Sequence, residues 1–188
     1  MVKSLRGQLL IASRSLLDPN FLQSVVLLVE HNDEGAMGLV VNRPSEMTVS
    51  KALGGHFEYP ETDELVYLGG PVEQNSLFIL HDDPTLDQME HPMKVGVYVG
   101  TSEEAFEEVV RRANAAETDW KCRIISGYAG WSPGQLEGEI ARLDWKAIPA
   151  SPDLVFHTDP YLVWQHAMQE HHKRNPLVPD APGDPRWN

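Results

Sequence analysis

Polar side chains stand beside the two most apolar segments of the N-terminal third, where two predicted strands begin and end. Asp18 and Asn20 precede the first segment, and Asn42 and Arg43 directly follow the second. If the segments pair as a hairpin, these side chains meet at one end of it. The Arg43 guanidinium could then brace the turn at Asp18, form an ion pair with Asp18 or Asp87, or bind an anionic ligand. The sequence leaves these interpretations open and favours the brace.

A second candidate site combines aromatic and small residues with a predicted helix start. In the segment 127–137, Trp131 could stack on a ligand and Gln135 could hydrogen-bond to it, while the neighbouring glycines would let a backbone approach closely. The alternative is a turn that defines the fold, with Trp131 in the core. The sequence favours the core interpretation but keeps both residues as binding candidates.

Several histidines could act as general bases, but the sequence offers no matching nucleophile. His31 and His81 each follow an apolar segment, and a histidine–carboxylate pair can remove a proton. No serine has the nucleophile-elbow pattern, and the single cysteine, Cys122, lies in an apolar run typical of a small buried residue. Only His166 and Glu170 have the spacing that shares a helix face. We therefore predict no catalytic residue, no metal site and no cofactor.

Charge restricts the partners. The 188 residues include 28 acidic and 15 basic side chains, for a net charge of -13. Phosphate backbones are bound chiefly through lysine and arginine, so direct nucleic-acid binding is not expected. No apolar run reaches the roughly 18 residues that a membrane-spanning helix needs. With one cysteine and no targeting segment, these features predict a cytoplasmic protein without a membrane contact.

The apolar runs predict strands in an irregular order. They lie at 8–12, 24–29, 37–41, 65–68, 76–80, 95–99, 123–126 and 145–148. Pro44 is expected to end the third strand because proline has no amide donor. This order lacks the alternation of a doubly wound sheet and predicts the α+β class.

Capping patterns predict the helices. They begin with a short turn at Asp18-Pro19 and continue at 48–53, after Thr101, after Ser132-Pro133 and after Asp159-Pro160. In the helix after Ser132-Pro133, we expect Leu136, Ile140 and Leu143 to form the buried side. Residues 1–174 are predicted to form one domain. Prolines recur at every third position within 175–188, which predicts an extended tail.

The order of the motifs resembles a known family. The bacterial AlgH/YqgE-like family is similar to this chain from about Gly7 to Met168, and the segments that carry the resemblance are 16–21, 24–31, 38–44, 67–72 and 127–137. The resemblance implies a strongly curved, partly bifurcated sheet, mostly antiparallel or mixed, with helices packed on it. It also implies a regulatory role, since members are commonly labelled transcriptional regulators.

Together these features predict a non-catalytic regulatory or interaction protein that binds a protein partner or a small metabolite. The candidate binding residues are Asp18, Asn20, Asn42, Arg43, Trp131 and Gln135. The alternative is an enzyme with a small-molecule site near Arg43, His81 and Trp131. A homodimer through the apolar face of the last helix is compatible with either function.

Overall fold

The strands form one branched sheet in this computed structural model, which describes residues 4–86, 93 and 95–176. In chain order they are β1 Gln8–Ala12, β2 Val25–Asn32, β3 Gly35–Val40, β4 Pro44–Thr48, β5 Leu65–Leu68, β6 Val72–His81, β7 Tyr98–Gly100, β8 Cys122–Trp131 and β9 Trp145–Pro149. The helices are α1 Val49–Leu53, α2 Glu103–Asn114, α3 Gln135–Ala141, α4 Pro152–Val155 and α5 Val163–Arg174, with a 3-10 turn at Pro84–Leu86. The predicted α+β class is confirmed.

Strand β8 joins the two arms of the sheet. The main path runs β4-β5-β8-β3-β2-β1-β9, and β6 pairs with both β8 and β7. Among the described strands, β5 and β8 run parallel and every other pair is antiparallel. One edge of β8 contacts β6, while the other contacts β5 at Ile125 and Ser126 and β3 from Ala129 onward. The sheet is therefore mixed, as predicted, and divides along β8.

Three glycines make this division sterically possible. A Cβ atom on Gly69 would lie 2.2 Å from the carbonyl oxygen of Gly127, and one on Gly70 would lie 2.2 Å from the carbonyl carbon of Tyr128. Gly127 itself has a left-handed φ of 72°, and its Cβ would lie 2.8 Å from the Gly70 carbonyl oxygen. Contacts this short with rigid backbone exclude any side chain. The connection from β5 to β6 can pass this close to the backbone of β8 only because these positions are glycine.

Apolar side chains cover both faces of the sheet. Helices α4 and α5 pack Val155, Val163 and Ala167 on one face. On the other face, α3 contributes Leu136 to a cluster around Trp131 and Trp145. Helices α1 and α2 cover the arm of β5, β6 and β8, with these buried residues: Val49, Leu53, Ala105, Phe106 and Val109. Within the described ranges, none of the helices is both long and apolar enough to cross a membrane.

Several predicted element boundaries are confirmed. Strands β1 and β5 and helix α1 lie where the sequence predicts them, and Thr48 caps α1 by accepting a hydrogen bond from the Lys51 amide. The hairpin of β2 and β3 is confirmed as well. Strands β6 and β8 extend well beyond the predicted segments because each exchanges partners along its length. The predicted tail beyond Pro176 lies outside the described residues.

Other local predictions are wrong. Pro44 begins the edge strand β4 instead of ending β3, since an edge strand tolerates a missing donor. Ser102, not Thr101, caps α2. Leu143 is 66% exposed with a left-handed φ of 66°, because α3 has already ended at Ala141. At Asp18-Pro19 the predicted short turn does form, with the Phe21 amide donating to the Asp18 carbonyl oxygen at 2.9 Å, but it does not continue into a helix. Helix α4 was not predicted, and α5 begins at Val163, later than Asp159-Pro160 indicates.

We expect Gly127→Ala to lower the free energy of unfolding by about 3 kcal/mol or more, from backbone strain together with the clash against Gly70. Gly55→Ala is the matched control because a Cβ at Gly55 meets nothing within 4 Å. The measurement is chemical denaturation followed by circular dichroism. Equal denaturation midpoints for the two variants would contradict the conclusion that the close backbone approach at position 127 requires glycine.

Candidate functional site

The four polar residues predicted around the hairpin do meet at one end of it. The Asn42 side chain accepts a hydrogen bond from the Val25 amide (2.8 Å) and donates one to the Gln23 carbonyl (2.9 Å). The Asp18 carboxylate accepts from the Asn20 amide at 2.8 Å. Each of these contacts fixes the backbone of the connection between β1 and β2.

Arg43 also hydrogen-bonds to the connection between β1 and β2. Its guanidinium donates to the carbonyl oxygens of Asn20 (2.5 Å) and Leu22 (3.1 Å). In the described part of the chain no carboxylate lies within ion-pair distance of Arg43, so its charge is compensated by carbonyl dipoles. Asp87, considered as its partner, lies outside the described residues. The contacts correspond to the brace interpretation, and a binding role for Asp18, Asn20, Asn42 and Arg43 stays a prediction.

Trp131 is 6% exposed and belongs to an aromatic cluster. Its ring lies 6.2 Å from that of Phe21 and 6.0 Å from that of Trp145. The indole N–H groups of both tryptophans donate to the same oxygen of Glu139, at 2.9 and 2.8 Å. The Gln135 side-chain amide donates to the second oxygen of Glu139 at 2.9 Å. The geometry corresponds to a core role for Trp131, and ligand binding by Trp131 and Gln135 stays a prediction.

The residues of the predicted enzyme site are not brought together. His81 pairs with Cys122 at the beginning of β8, whereas Trp131 ends that strand. The His81 ring stacks on Tyr98 at 5.6 Å. His31 does form a histidine–carboxylate pair, with its Nε2 donating to Glu137 at 2.8 Å. That imidazole is buried, and its Nδ1 accepts a hydrogen bond from a backbone amide, so it cannot reach a substrate proton.

Arg123 is a structural residue that sequence reasoning missed. Its guanidinium donates to the carbonyl oxygens of Val41 (2.9 Å), Val155 (2.5 Å) and His157 (2.5 Å). It also lies over the Tyr67 ring, 4.5 Å from the centroid. Burial lowers the pKa of Arg123. A backbone carbonyl that needs a partner leaves no signal in the sequence. The one available signal was the unusual occurrence of an arginine within a predicted buried strand.

A cavity of about 430 Å³ opens where α2 packs on the arm of β5 and β8. Its lining combines polar groups with apolar and aromatic side chains, the latter being Val49, Tyr59, Leu65, Tyr67, Val109, Ala113, Trp120 and Ile124. Cys122, Arg123 and the exposed residues Glu64, Glu117 and Thr118 complete the lining. Sequence reasoning missed this cavity because α2, the 117–121 connection and the strands that build it are distant in the chain.

The phenol and thiol groups beside this cavity are held in their neutral forms. Burial, and then the nearby Glu64 carboxylate, raise the pKa of Tyr59 to about 12. The same two causes, in the same order, raise the pKa of the Cys122 thiol. Burial also raises the pKa of Tyr67. A nucleophilic thiolate or a phenolate base requires the opposite shift.

Ion pairs fix one wall of the cavity. The Arg112 guanidinium lies 4.7 Å from the centroid of the Trp120 ring and forms ion pairs with Asp83 and Glu108, both at 2.7 Å. Hydrogen bonds from Arg111 and Arg112 lower the pKa of Glu108 to about 2. Although burial opposes it, hydrogen bonds from Thr85 and Arg112 also lower the pKa of Asp83 to about 2. Both carboxylates therefore stay ionised at any physiological pH.

Metal ligands are not clustered in the parts of the chain described here, where no group of three or more His, Cys, Asp or Glu side chains could hold a metal ion. The His157 and His166 rings do meet, with centroids 4.8 Å apart. Two imidazoles alone leave a structural site incomplete.

The branched mixed sheet with helices on both faces defines the class of this protein as a single-domain α+β fold. The AlgH-like family model matches residues 9–175, and the chain belongs to that family, as the motif resemblance predicted. A UPF0301 protein of Idiomarina loihiensis is 38% identical over 174 residues, which cover 90% of this chain and 92% of that protein. A UPF0301 protein of Chlorobium luteolum is 33% identical over 97% of this chain and 94% of its own length.

Solved structures show the same fold. The solution structure of the AlgH protein from Pseudomonas aeruginosa has a TM-score of 0.71 and 33% identity, and the match covers 95% of this chain and 94% of that one. The crystal structure of protein DIP2367 from Corynebacterium diphtheriae has a TM-score of 0.68 at 23% identity, over 90% and 88% of the two chains. The second likeness concerns the fold alone.

We expect Trp131→Ala to lower the free energy of unfolding by about 3–5 kcal/mol, because it removes a core ring and leaves Glu139 with one indole partner. Trp120→Ala, which removes a half-buried ring at the cavity, should cost roughly 1–2 kcal/mol. Chemical denaturation of both variants measures the difference. A Trp131→Ala protein as stable as the wild type would instead indicate that Trp131 lies at the surface, where it could stack on a ligand.

Proposed function

We propose that the protein is a non-catalytic binding protein with a regulatory role, and that its ligand is a small molecule held in the cavity between α2 and the sheet. The observation that carries this proposal is the cavity itself, about 430 Å³ in volume, with Val49, Val109 and Ile124 in its lining beside polar groups. Ligand sites commonly measure about 300–1,000 Å³ and combine apolar walls with a few polar groups.

The polar groups of the cavity wall support binding. The Tyr59 hydroxyl and the Trp120 indole N–H make no hydrogen bond within the described parts of the chain, and both side chains are half-buried. Each can donate to a ligand without breaking a protein contact. The other polar motif residues, by contrast, are engaged with backbone or with each other, as Arg43 and Glu139 are.

The protonation states support binding over catalysis. Burial raises the pKa of the Cys122 thiol and of both tyrosines beside the cavity, so none of them is activated as a nucleophile or a base. The net charge of -13 disfavours direct contact with DNA. A regulatory effect would therefore reach its target through the bound ligand or a protein partner.

We expect Ala113→Trp to abolish ligand retention, because Ala113 lines the cavity and an indole there would fill it. The measurement is native mass spectrometry of the protein gently purified from its own cells. Wild type should carry a small-molecule mass that Ala113→Trp lacks. The matched control is Ala115→Trp, at an exposed position that follows the same helix.

Circular dichroism checks that both tryptophan variants are folded before their masses are compared. An adduct retained equally by Ala113→Trp would place the ligand elsewhere. Wild-type protein without any adduct, even under the gentlest ionisation, would contradict the proposal of a tightly held small molecule.

A further inference from the structure

The cavity mouth carries an uncompensated negative charge. The Glu64 carboxylate makes no hydrogen bond or ion pair with any residue in the described ranges. Glu117, the other carboxylate of the lining, is paired with Arg111 at 2.9 Å. Arg112, the cation beside the wall, is paired with two carboxylates of its own. Glu64 therefore sets the sign of the potential that a ligand meets on entry.

Arg123 is the one cation among the described lining residues, and its guanidinium is engaged with three backbone carbonyls and with the Tyr67 ring. It borders the cavity, but it lies in β8 between Cys122 and Ile124, which belong to the cluster under α2. Side chains alternate between the faces of a strand, so the Arg123 side chain extends to the opposite face. There its guanidinium donates to the carbonyls of Val41, Val155 and His157.

Groups beside the cavity already respond to the Glu64 charge. Its carboxylate contributes, after burial, to raising the pKa of Tyr59, and it does the same for the Cys122 thiol. A potential that disfavours a phenolate and a thiolate also disfavours an anionic ligand and favours a cationic one. The aromatic rings of Tyr59 and Trp120 add surfaces that attract a cation through their π-electrons.

We infer that the ligand of this cavity is a small organic cation, with an ammonium group placed at Glu64 and an apolar body packed against Tyr59, Trp120 and Val109. The inference rests on the proposed function, because it names the chemical class of the ligand for the same cavity. Its size limit follows from the volume of about 430 Å³.

Three probes of similar shape test the charge preference. They are phenethylamine, the isosteric neutral alcohol 2-phenylethanol and the anion phenylacetate, titrated by calorimetry at low salt. We expect phenethylamine to bind about five- to tenfold more tightly than 2-phenylethanol, and phenylacetate to bind most weakly. Added sodium chloride should reduce the preference because it screens an exposed carboxylate.

Glu64→Gln should remove the preference for the amine and leave the affinity for the alcohol unchanged. The matched control is Glu107→Gln, an exposed carboxylate on α2 outside the cavity lining, which should retain the preference. Because Glu64 is exposed and unpaired with described residues, its replacement should not affect folding.

Three results separate the two proposals. Equal binding of amine and alcohol, abolished for both by Ala113→Trp, would overturn the cationic ligand and leave the binding cavity standing. A preference that survives Glu64→Gln would also overturn the role of that carboxylate. Failure of all three probes to bind the wild-type protein would overturn the proposed function together with the inference.

Discussion

The fold depends on the close crossing of two backbones at Gly69, Gly70 and Gly127. These glycines carry no Cβ atom, and the space between the two backbones would not hold one. Strand β8 can therefore pair with β5 and then with β3 along one edge while β6 occupies the other. The sheet thereby divides into two arms. One arm is closed by α3, α4 and α5, and the other by α1 and α2. The cavity lies under α2, on the second arm.

Polar side chains stabilise the connections that such a divided sheet requires. Arg43 and Asn42 hydrogen-bond to the 18–23 connection. Arg123 of β8 donates to the carbonyls of Val41 just after β3, of Val155 at the end of α4 and of His157 just beyond it. Glu139 in α3 accepts hydrogen bonds from the indoles of Trp131 at the end of β8 and Trp145 at the beginning of β9. A buried backbone carbonyl or indole N–H without a partner costs about 1–3 kcal/mol, so the contacts of Arg123 and Glu139 contribute to stability before any function is considered. Arginine, asparagine and glutamate occur at these positions because backbone carbonyls, amides and indole N–H groups there need hydrogen-bond partners outside the regular strands and helices.

Sequence reasoning predicted the elements whose signals are local. The strands at Gln8–Ala12 and Leu65–Leu68, the cap of α1 and the meeting of Asn42 with the 18–23 connection follow from short-range patterns. It failed at Pro44 and at Leu143, where edge position and an early helix end decide the outcome. The cavity could not be predicted, since Val49, Val109 and Ile124 come together only through long-range packing. The irregular order of the strands predicted the α+β class and the resemblance to the AlgH-like family implied the same class, but neither identified this cavity.

The central claim is that the cavity under α2 binds a small molecule. Its most direct test is a two-dimensional NMR titration of the side-chain indole N–H resonances with 2-phenylethanol. Trp120 lines the cavity, whereas the indoles of Trp131, Trp145 and Trp164 donate to Glu139 or to a backbone carbonyl. We predict that the Trp120 resonance shifts in a saturable manner while those three stay in place. Saturable shifts of Trp131 and Trp145 with an unchanged Trp120 would contradict the account and assign binding to the aromatic cluster instead.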